Sequence, residues 1–267
     1  MPTNDIIGPL AWAEVHLGSI KYNIDQIRKL AARNQFDIPF RHKNQKKSSD
    51  KVEILAVIKS DAYGHGMTET GRLLDQLGID FFAVSDVNEG VRLREAGVKK
   101  NILLLENSLP DFAQWICDYD LTPTVGTIEL AERLNDASHR AKKRVAIQVE
   151  VDTGMGRLGI WHPEAFDFIQ ALFHFRYLTI EGVFTHFPVA DTDRHFTQDQ
   201  IDLLYKLVLK LDRAGMIIPY IHAANSLGLA DYKTKVLNLV RPGLMIYGLY
   251  PGEHSRKSHN RFWIGSI

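Results

Sequence analysis

The stretch Ile54-Leu55-Ala56-Val57-Ile58-Lys59-Ser60-Asp61-Ala62-Tyr63-Gly64-His65-Gly66 decides how the rest of the chain is read. An apolar run climbs to a lysine, and a polar, glycine-punctuated turn follows at once. Short continuous apolar runs of this kind are strands buried on both faces, as in parallel sheets. A lysine at the C-terminal end of one has two readings. Its stem can snorkel past apolar neighbours and carry the charge to water. Alternatively, the amine sits in apolar surroundings, where lost hydration disfavours the ammonium and leaves a nucleophile able to form a Schiff base.

The run at Ile54 is the first of eight. Phe81–Val84, Ile102–Leu105, Thr122–Val125, Val145–Val151, Leu178–Phe184, Tyr220–Ala224 and Val236–Val240 follow, the run at Thr122 being the weakest. Helical patterns lie between them, among them Met67–Leu77, Val87–Ala96, Ile128–Ala137 and Gln198–Ala214. In the last, Leu203, Leu204, Leu207, Val208 and Leu211 form one apolar stripe suited to packing on a sheet. Alternating strands and helices signify βαβ units and a parallel sheet. Eight alternations within about 200 residues predict an α/β fold of the TIM (β/α)8 type, whose active site lies where strands run into the following loops. The rival is an open doubly wound sheet, but Gly64-His65-Gly66 lacks the spacing of its glycine fingerprint.

With 267 residues and 45% hydrophobic content, the chain can bury a large core, in one barrel or two small domains. Its net charge of zero gives no reason to expect nucleic acid or an anionic membrane as partner. Met1-Pro2-Thr3-Asn4-Asp5 lacks the basic and apolar regions of a signal peptide, and no run reaches membrane-spanning length. The expectation is a cytoplasmic protein acting on a small molecule, with no metal. The single cysteine, Cys117, reads as packing. Residues 35–51, with Arg41, His42, Lys43, Lys46 and Lys47, read as an exposed basic insertion with little aromatic interleaving. The barrel is expected over 1–251, with 252–267 a short tail.

Two further segments bear on Lys59. In the run from Val145, Ile147, Val149 and Val151 share one face while Gln148, Glu150 and Asp152 share the other. If the apolar face meets the helices, the polar face points into the barrel, where unpaired charge is costly. A cation should therefore lie close, and Arg157 in Thr153-Gly154-Met155-Gly156-Arg157-Leu158-Gly159 is the expected one, at the site or as a structural ion pair below it. Asn225-Ser226 follow the seventh run, and Arg241-Pro242-Gly243-Leu244 end the eighth. Those are the loops with which TIM barrels commonly hold a phosphate. Ser226, the amides of Gly243 and Leu244, and the phenol of Tyr63 suit that task. A lysine and a phosphate cradle at one end of a barrel point to a phosphorylated aldehyde, of which pyridoxal phosphate is the simplest that uses both.

The stretch Ala56–Gly66 also resembles the cofactor-lysine motif of bacterial alanine racemases. The resemblance continues through Asp152–Gly159, Thr185-His186-Phe187, His222-Ala223-Ala224-Asn225-Ser226 and Arg241–Pro251, spanning about Leu10 to Pro251 in five ordered motifs. It implies that Lys59 forms the internal aldimine with pyridoxal phosphate and is the base on one face of the substrate carbon. Tyr63, Asn225, Ser226, Gly243 and Leu244 would bind the cofactor at its phosphate side. Arg157 would orient the opposing base and help bind the substrate carboxylate, with Met155 and Glu150 at the substrate, and His186 would support Arg241. Arg241 would face the pyridine nitrogen. Arginine only donates and stays protonated, so it discourages proton uptake by that nitrogen and favours reprotonation at the substrate carbon, hence racemisation over transamination. The related barrel decarboxylases place a carboxylate there.

The implied activity is interconversion of L-alanine and D-alanine, supplying D-alanine for peptidoglycan, in a homodimer. Two departures from the family pattern stand out. Glu150 occupies the place where the family often has a carbamylated lysine, and it is expected to brace Arg157 with its own negative charge. Residues 252–267 stand where the family continues into a β-rich domain whose tyrosine is the base on the other face. Two-base racemisation needs an acid and a base on opposite faces, so this chain is expected to bind cofactor more securely than it turns over alanine. The alternative is a single-domain barrel that binds pyridoxal phosphate without racemase activity, of the kind concerned with cofactor homeostasis.

Overall fold

The computed structural model describes residues 13–33, 52–232 and 237–249. The insertion expected over 35–51 and the tail expected over 252–267 lie outside the described residues. In chain order the elements are α1 (Leu17–Ala31), β1 (Glu53–Val57), the short turn α2 (Lys59–Tyr63), α3 (Met67–Gln76), β2 (Phe81–Val84), α4 (Val87–Glu95), β3 (Asn101–Asn107), α5 (Ala113–Asp118) and β4 (Thr122–Thr124). There follow α6 (Ile128–Arg140), β5 (Val145–Asp152), β6 (Ile160–Trp161), α7 (Ala165–Leu172), β7 (Leu178–Phe184), α8 (Arg194–Arg213), β8 (Tyr220–His222), α9 (Ser226–Asp231) and β9 (Leu239–Val240), with a 3-10 turn at Leu244–Tyr247.

Every strand pair is parallel, in the order β8-β7-β5-β4-β3-β2-β1-β9. All eight expected strands are present in this ring. Its last seam, between β8 and β9, is closed by a side chain. Asn238 Oδ1 accepts from Ile221 N at 2.8 Å, Asn238 Nδ2 donates to Pro219 O at 2.7 Å, and Asn238 N donates to Ile221 O at 3.1 Å. Arg241 N adds a bond to Ala224 O at 2.8 Å. The amide of Asn238 thus does for β8 what a strand backbone does elsewhere, and the sheet becomes a TIM-type barrel.

Strand alternation divides the core in two. Ile54, Ala56 and Ile58 face the helices, as do Ile147, Val149 and Val151. Leu55 and Val57 point inward and meet Phe81, Ala83, Leu103, Phe184 and Leu239. Period-two alternation from Leu55 and Val57 carries Lys59 to the top of this inner layer. Gln148 and Glu150 are buried, at 1% and 5% exposure, on the face opposite Ile147 and Val149.

Local chemistry sets the element ends. Asp193 Oδ1 accepts from Phe196 N at 2.9 Å, so α8 starts at Arg194, earlier than the expected Gln198. Thr127 caps α6 through Leu130 N in the same way. Two elements were not expected. α1 packs Ile20, Ile24 and Ile27 into the outer core and ties itself to the 3-10 turn through Asn23 Nδ2 and Ile246 O, 3.0 Å apart. β6 lies beside β5 because Gly159 (φ 98°) lets the chain double back against Glu150 O, where a Cβ would sit at only 2.9 Å. Among the described residues, no helix is long and apolar enough to cross a membrane.

Candidate active site

The segment after β1 is left-handed. Ser60, Asp61, Ala62 and Tyr63 have φ of 53°, 53°, 57° and 54°, a conformation that costs an L-residue about 1–2 kcal/mol. Surrounding contacts hold it there. Asp61 Oδ1 accepts from Met67 N at 3.1 Å and lies 3.4 Å from Arg92 Nη2. Tyr247, fully buried, stacks on His65 at 4.6 Å and packs on Tyr63 at 5.2 Å. The turn leaves Lys59 and Tyr63 together on the wall of one cavity.

That cavity, about 720 Å³, opens at the C-terminal ends of the strands and falls in the range of small-molecule sites. Lys59, Tyr63, Glu150, Arg157, His186, Asn225, Ser226, Arg241, Gly243 and Leu244 all line it. Met155, expected at the substrate, does not. Its loop is shaped by Asp152, whose Oδ1 takes the amides of Gly154 and Gly156 at 2.9 and 3.1 Å, and the next inward position goes to Arg157 instead. The sequence reading missed Ser85, Leu105, Glu106 and Asn107 on the wall, because the ends of β2 and β3 carry no lysine or glycine motif and a single glutamate at a strand end does not mark a site.

One end of the cavity is an anion cradle. Ser226 Oγ accepts from Gly243 N at 3.1 Å and Met245 N at 3.2 Å, which occupies both lone pairs and leaves its hydrogen to donate. Gly243 was expected to offer its amide to a phosphate; here that amide orients Ser226. The absence of a side chain at Gly243 matters more: a Cβ there would lie 2.6 Å from Tyr63 Oη. Burial raises the Tyr63 pKa, so its phenol remains a donor. Asn225 lines the cavity but spends its amide on the loop, accepting from Gly228 N at 2.9 Å and donating to Phe187 O at 3.1 Å. Two hydroxyl donors beside a glycine, with Lys59 on the same wall, fit the phosphate and carbonyl of a phosphorylated aldehyde.

At the other side lies Arg241, 4% exposed. Its Nη2 donates to Thr185 O at 2.8 Å and Ala223 O at 3.3 Å, and its guanidinium sits 5.0 Å from the Phe184 ring centre. Burial draws its pKa down to about 10, with Glu150 opposing, so it stays charged near neutrality. Support was expected from His186, whose Nδ1 is 3.4 Å from Nη2. The shorter contact is to His222, with Nδ1 2.7 Å from Nη1. Burial first, then Arg241, pushes the His222 pKa well down, so the ring is neutral. Nδ1 must accept from Arg241, so the proton is on Nε2 and is donated to Gln148 Oε1 at 2.7 Å. Gly182 makes room for Gln148: a Cβ there would be 2.8 Å from its amide carbon. His222 and Gln148 received no role in the sequence reading, although a glutamine on the inward face of a buried strand was the available signal.

His186 is also neutral. Burial first, then Arg241, Arg157 and Lys59, lower its pKa to about 3. Glu150 is shifted upward by burial, opposed by Arg241 first and Arg157 second. Both arginines thus bear on Glu150, Arg241 more than the expected Arg157, and no ion pair joins Glu150 to either among the described residues. The reason is placement, since Glu150 is inside the barrel while Arg157 is exposed on its loop. That loop is tied to His186 by Gln200, whose Nε2 donates to Thr153 Oγ1 at 3.1 Å and His186 O at 3.0 Å.

Comparison with known proteins agrees with this architecture. The chain is 35% identical to the alanine racemase of Halothermothrix orenii over 90% of its own length and 59% of that protein. It is 37% identical to that of Carboxydothermus hydrogenoformans, again over 90% of itself and 60% of the relative. The chain thus spans about 60% of the length of the curated relatives it matches. Alanine racemase of Clostridium difficile 630, solved in complex with cycloserine, superposes with a TM-score of 0.86 at 30% identity, covering 98% of this chain and 67% of that one. The Bacillus anthracis alanine racemase with bound L-Ala-P gives 0.80 at 25% identity, covering 96% and 64%. The family described as "Alanine racemase, N-terminal domain" matches residues 41–251, a span that runs from ahead of the lysine strand to beyond the barrel-closing turn. On sequence and fold together, the chain belongs to the alanine racemase N-terminal domain family.

Proposed function

We propose that this barrel binds pyridoxal phosphate and serves as the cofactor-holding part of an enzyme that interconverts L-alanine and D-alanine. One observation carries the reading: a buried arginine donating into a neutral histidine shares a cavity with a strand-end lysine and a two-hydroxyl anion cradle. Tyr63 and Ser226 would donate to the phosphate, and Lys59 would hold the carbonyl end. When bound, the cofactor supplies the electron-withdrawing ring that acidifies the amino-acid α-carbon. Arg241 keeps its charge and can only donate, which disfavours a proton on a ring nitrogen facing it. Lys59 Nζ moves the proton on one face of the α-carbon. Arg157, exposed at the mouth, draws in the substrate carboxylate, and neutral His186 adds no competing charge beside it.

Racemisation needs a second acid or base on the opposite face. Lys59 is the only primary amine on the cavity wall among the described residues, so the proposal assigns the opposing group to protein beyond them, in a homodimer. A cytoplasmic enzyme feeding D-alanine to peptidoglycan is the biological setting that the proposal carries. The reading as a cofactor-binding barrel without racemase activity has less support, since relatives at 35% and 37% identity are named alanine racemases.

Titration with pyridoxal phosphate tests the reading. A visible absorbance band should appear, and Lys59→Ala should abolish it. A wild-type chain that stays colourless overturns the cofactor assignment. In deuterium oxide, L-alanine should then exchange its α-proton faster than D-alanine accumulates; equal rates would mean that both bases lie within residues 1–267.

A further inference from the structure

We propose that Glu89 is a positioning residue for Lys59, acting as a clamp on the left-handed turn that follows it. Glu89 stands in the first turn of α4 and is not on the cavity wall. Its two carboxylate oxygens serve two different loops. Oε1 accepts from Ser60 N at 2.7 Å, and Oε2 accepts from Ser85 N at 2.8 Å. Ser60 directly follows Lys59 and is the first of the four left-handed residues. Ser85 lines the cavity. Hydrogen bonds from backbone amides to a carboxylate are charge-assisted and stronger than neutral ones, and the helix N-terminus favours the negative charge.

A plain capping role explains only half of this. Asp86 Oδ1 caps α4 by accepting from Glu89 N at 3.0 Å, and a glutamate at this helix position commonly reaches back to an amide just ahead of the helix, as Oε2 does here. Capping gives no reason for the bond to Ser60, which comes from the loop after a different strand. That bond meets a specific need. Four consecutive non-glycine residues at φ 53–57° favour the right-handed region when left to themselves. A fixed acceptor at the first of them sets the direction in which the chain leaves Lys59. By holding Ser60 and Ser85 with one group, Glu89 also fixes the spacing of two loops that border the cavity.

The inference rests on the proposed cofactor role of Lys59, and the test separates the two. Glu89→Gln keeps the size of the side chain, but its oxygen can serve one amide while its NH2 opposes the other. Three quantities are measured on the whole chain: hydrogen exchange over residues 58–66 without cofactor, capture of pyridoxal phosphate by visible absorbance with borohydride trapping, and binding of pyridoxamine phosphate, which has the same phosphate but no carbonyl. Exchange should accelerate, and pyridoxal phosphate capture should weaken about tenfold, the effect of one lost charge-assisted bond. Pyridoxamine phosphate, which meets Tyr63 of the same turn but makes no bond to Lys59, should lose less affinity than pyridoxal phosphate capture does. Asp86→Ala, which removes the helix cap and leaves both Glu89 oxygens in place, should preserve capture. Unchanged exchange over 58–66 overturns the clamp whether or not the wild type takes up cofactor. A pyridoxamine phosphate loss larger than that of pyridoxal phosphate capture, or equal loss in Asp86→Ala, overturns it as well. A colourless wild type whose Glu89→Gln variant still exchanges faster supports the clamp and sinks only the cofactor reading.

Discussion

Arg241 Nη1 lies 2.7 Å from His222 Nδ1, so a buried guanidinium donates to a neutral imidazole. The arrangement holds only while the His222 proton stays on Nε2, where Gln148 accepts it at 2.7 Å. Replacing Gln148 by Leu removes that acceptor and lets the proton move to the side that meets Arg241. Loss of a second-sphere partner of this kind typically costs about 10–100-fold in activity. We expect Gln148→Leu to slow α-proton exchange of alanine on that scale while pyridoxal phosphate affinity, set at the opposite end of the cavity, changes little. Equal losses in both would show that Gln148 acts on the fold and not on Arg241.

The neutral histidines make stability depend on pH in a defined window. His186 titrates near 3 in the fold against an ordinary value of 6.5, and His222 is displaced in the same direction. Between those values the unfolded chain binds more protons than the folded one, so stability falls as the pH falls from about 6.5 toward 3 and the His186 contribution levels off below that. Glu150, whose pKa is raised in the fold, works against this trend near the carboxylate range. Urea denaturation at several pH values should show midpoints that decline below 6.5, and His186→Asn should flatten the decline.

Gly243→Ala tests the cradle. The new methyl would sit 2.6 Å from Tyr63 Oη and 3.2 Å from its ring carbon, so Tyr63 has to move away from Ser226. Affinity for both pyridoxal phosphate and pyridoxamine phosphate should fall about tenfold or more, as expected when one hydrogen bond to a charged group is lost. Retained affinity would remove Tyr63 from the phosphate site.

Asn238→Ala tests the barrel seam. The substitution deletes two side-chain hydrogen bonds and leaves Ile221 N and Pro219 O without those partners. At about 1–3 kcal/mol for the one buried group stranded, Ile221 N, destabilisation on that scale should appear as a lower urea midpoint. A change below the error of the measurement would mean that the backbone bonds Asn238 N to Ile221 O and Arg241 N to Ala224 O close the seam by themselves.

The barrel was legible because its cause is periodic. Apolar strands such as Ile54–Ile58 and the alternation of Ile147, Gln148, Val149 and Glu150 carry their own facing, and the structure follows it. Lys59, Ser226 and Arg241 stood out because each follows or ends a recognisable strand. What could not be read depends on distance in space without a pattern in sequence. That Arg241 outweighs Arg157 in the charge acting on Glu150 follows from how deep each side chain lies. The pairing of His222 with Gln148 joins β8 to β5, which are not even neighbours in the sheet. That Arg157 and not Met155 lines the cavity could not be read either, because a motif names the loop but not which of its residues turns inward.

The cradle draws on both ends of the described chain: Tyr63 follows β1, while Ser226 and Gly243 follow β8 and β9. Those pieces are brought together by the pairing of Glu53 with Leu239 and Ile54 with Val240 and by Val57 N donating to Pro242 O at 3.0 Å, contacts between segments almost as far apart in the described chain as any. Contacts of such long sequence separation form late and slowly. A nascent or partly unfolded chain therefore presents Lys59 well before it presents anything to recognise a phosphate. Cofactor offered during refolding should thus register completion of the ring, and the appearance of its colour would serve as a clock for the final step of folding.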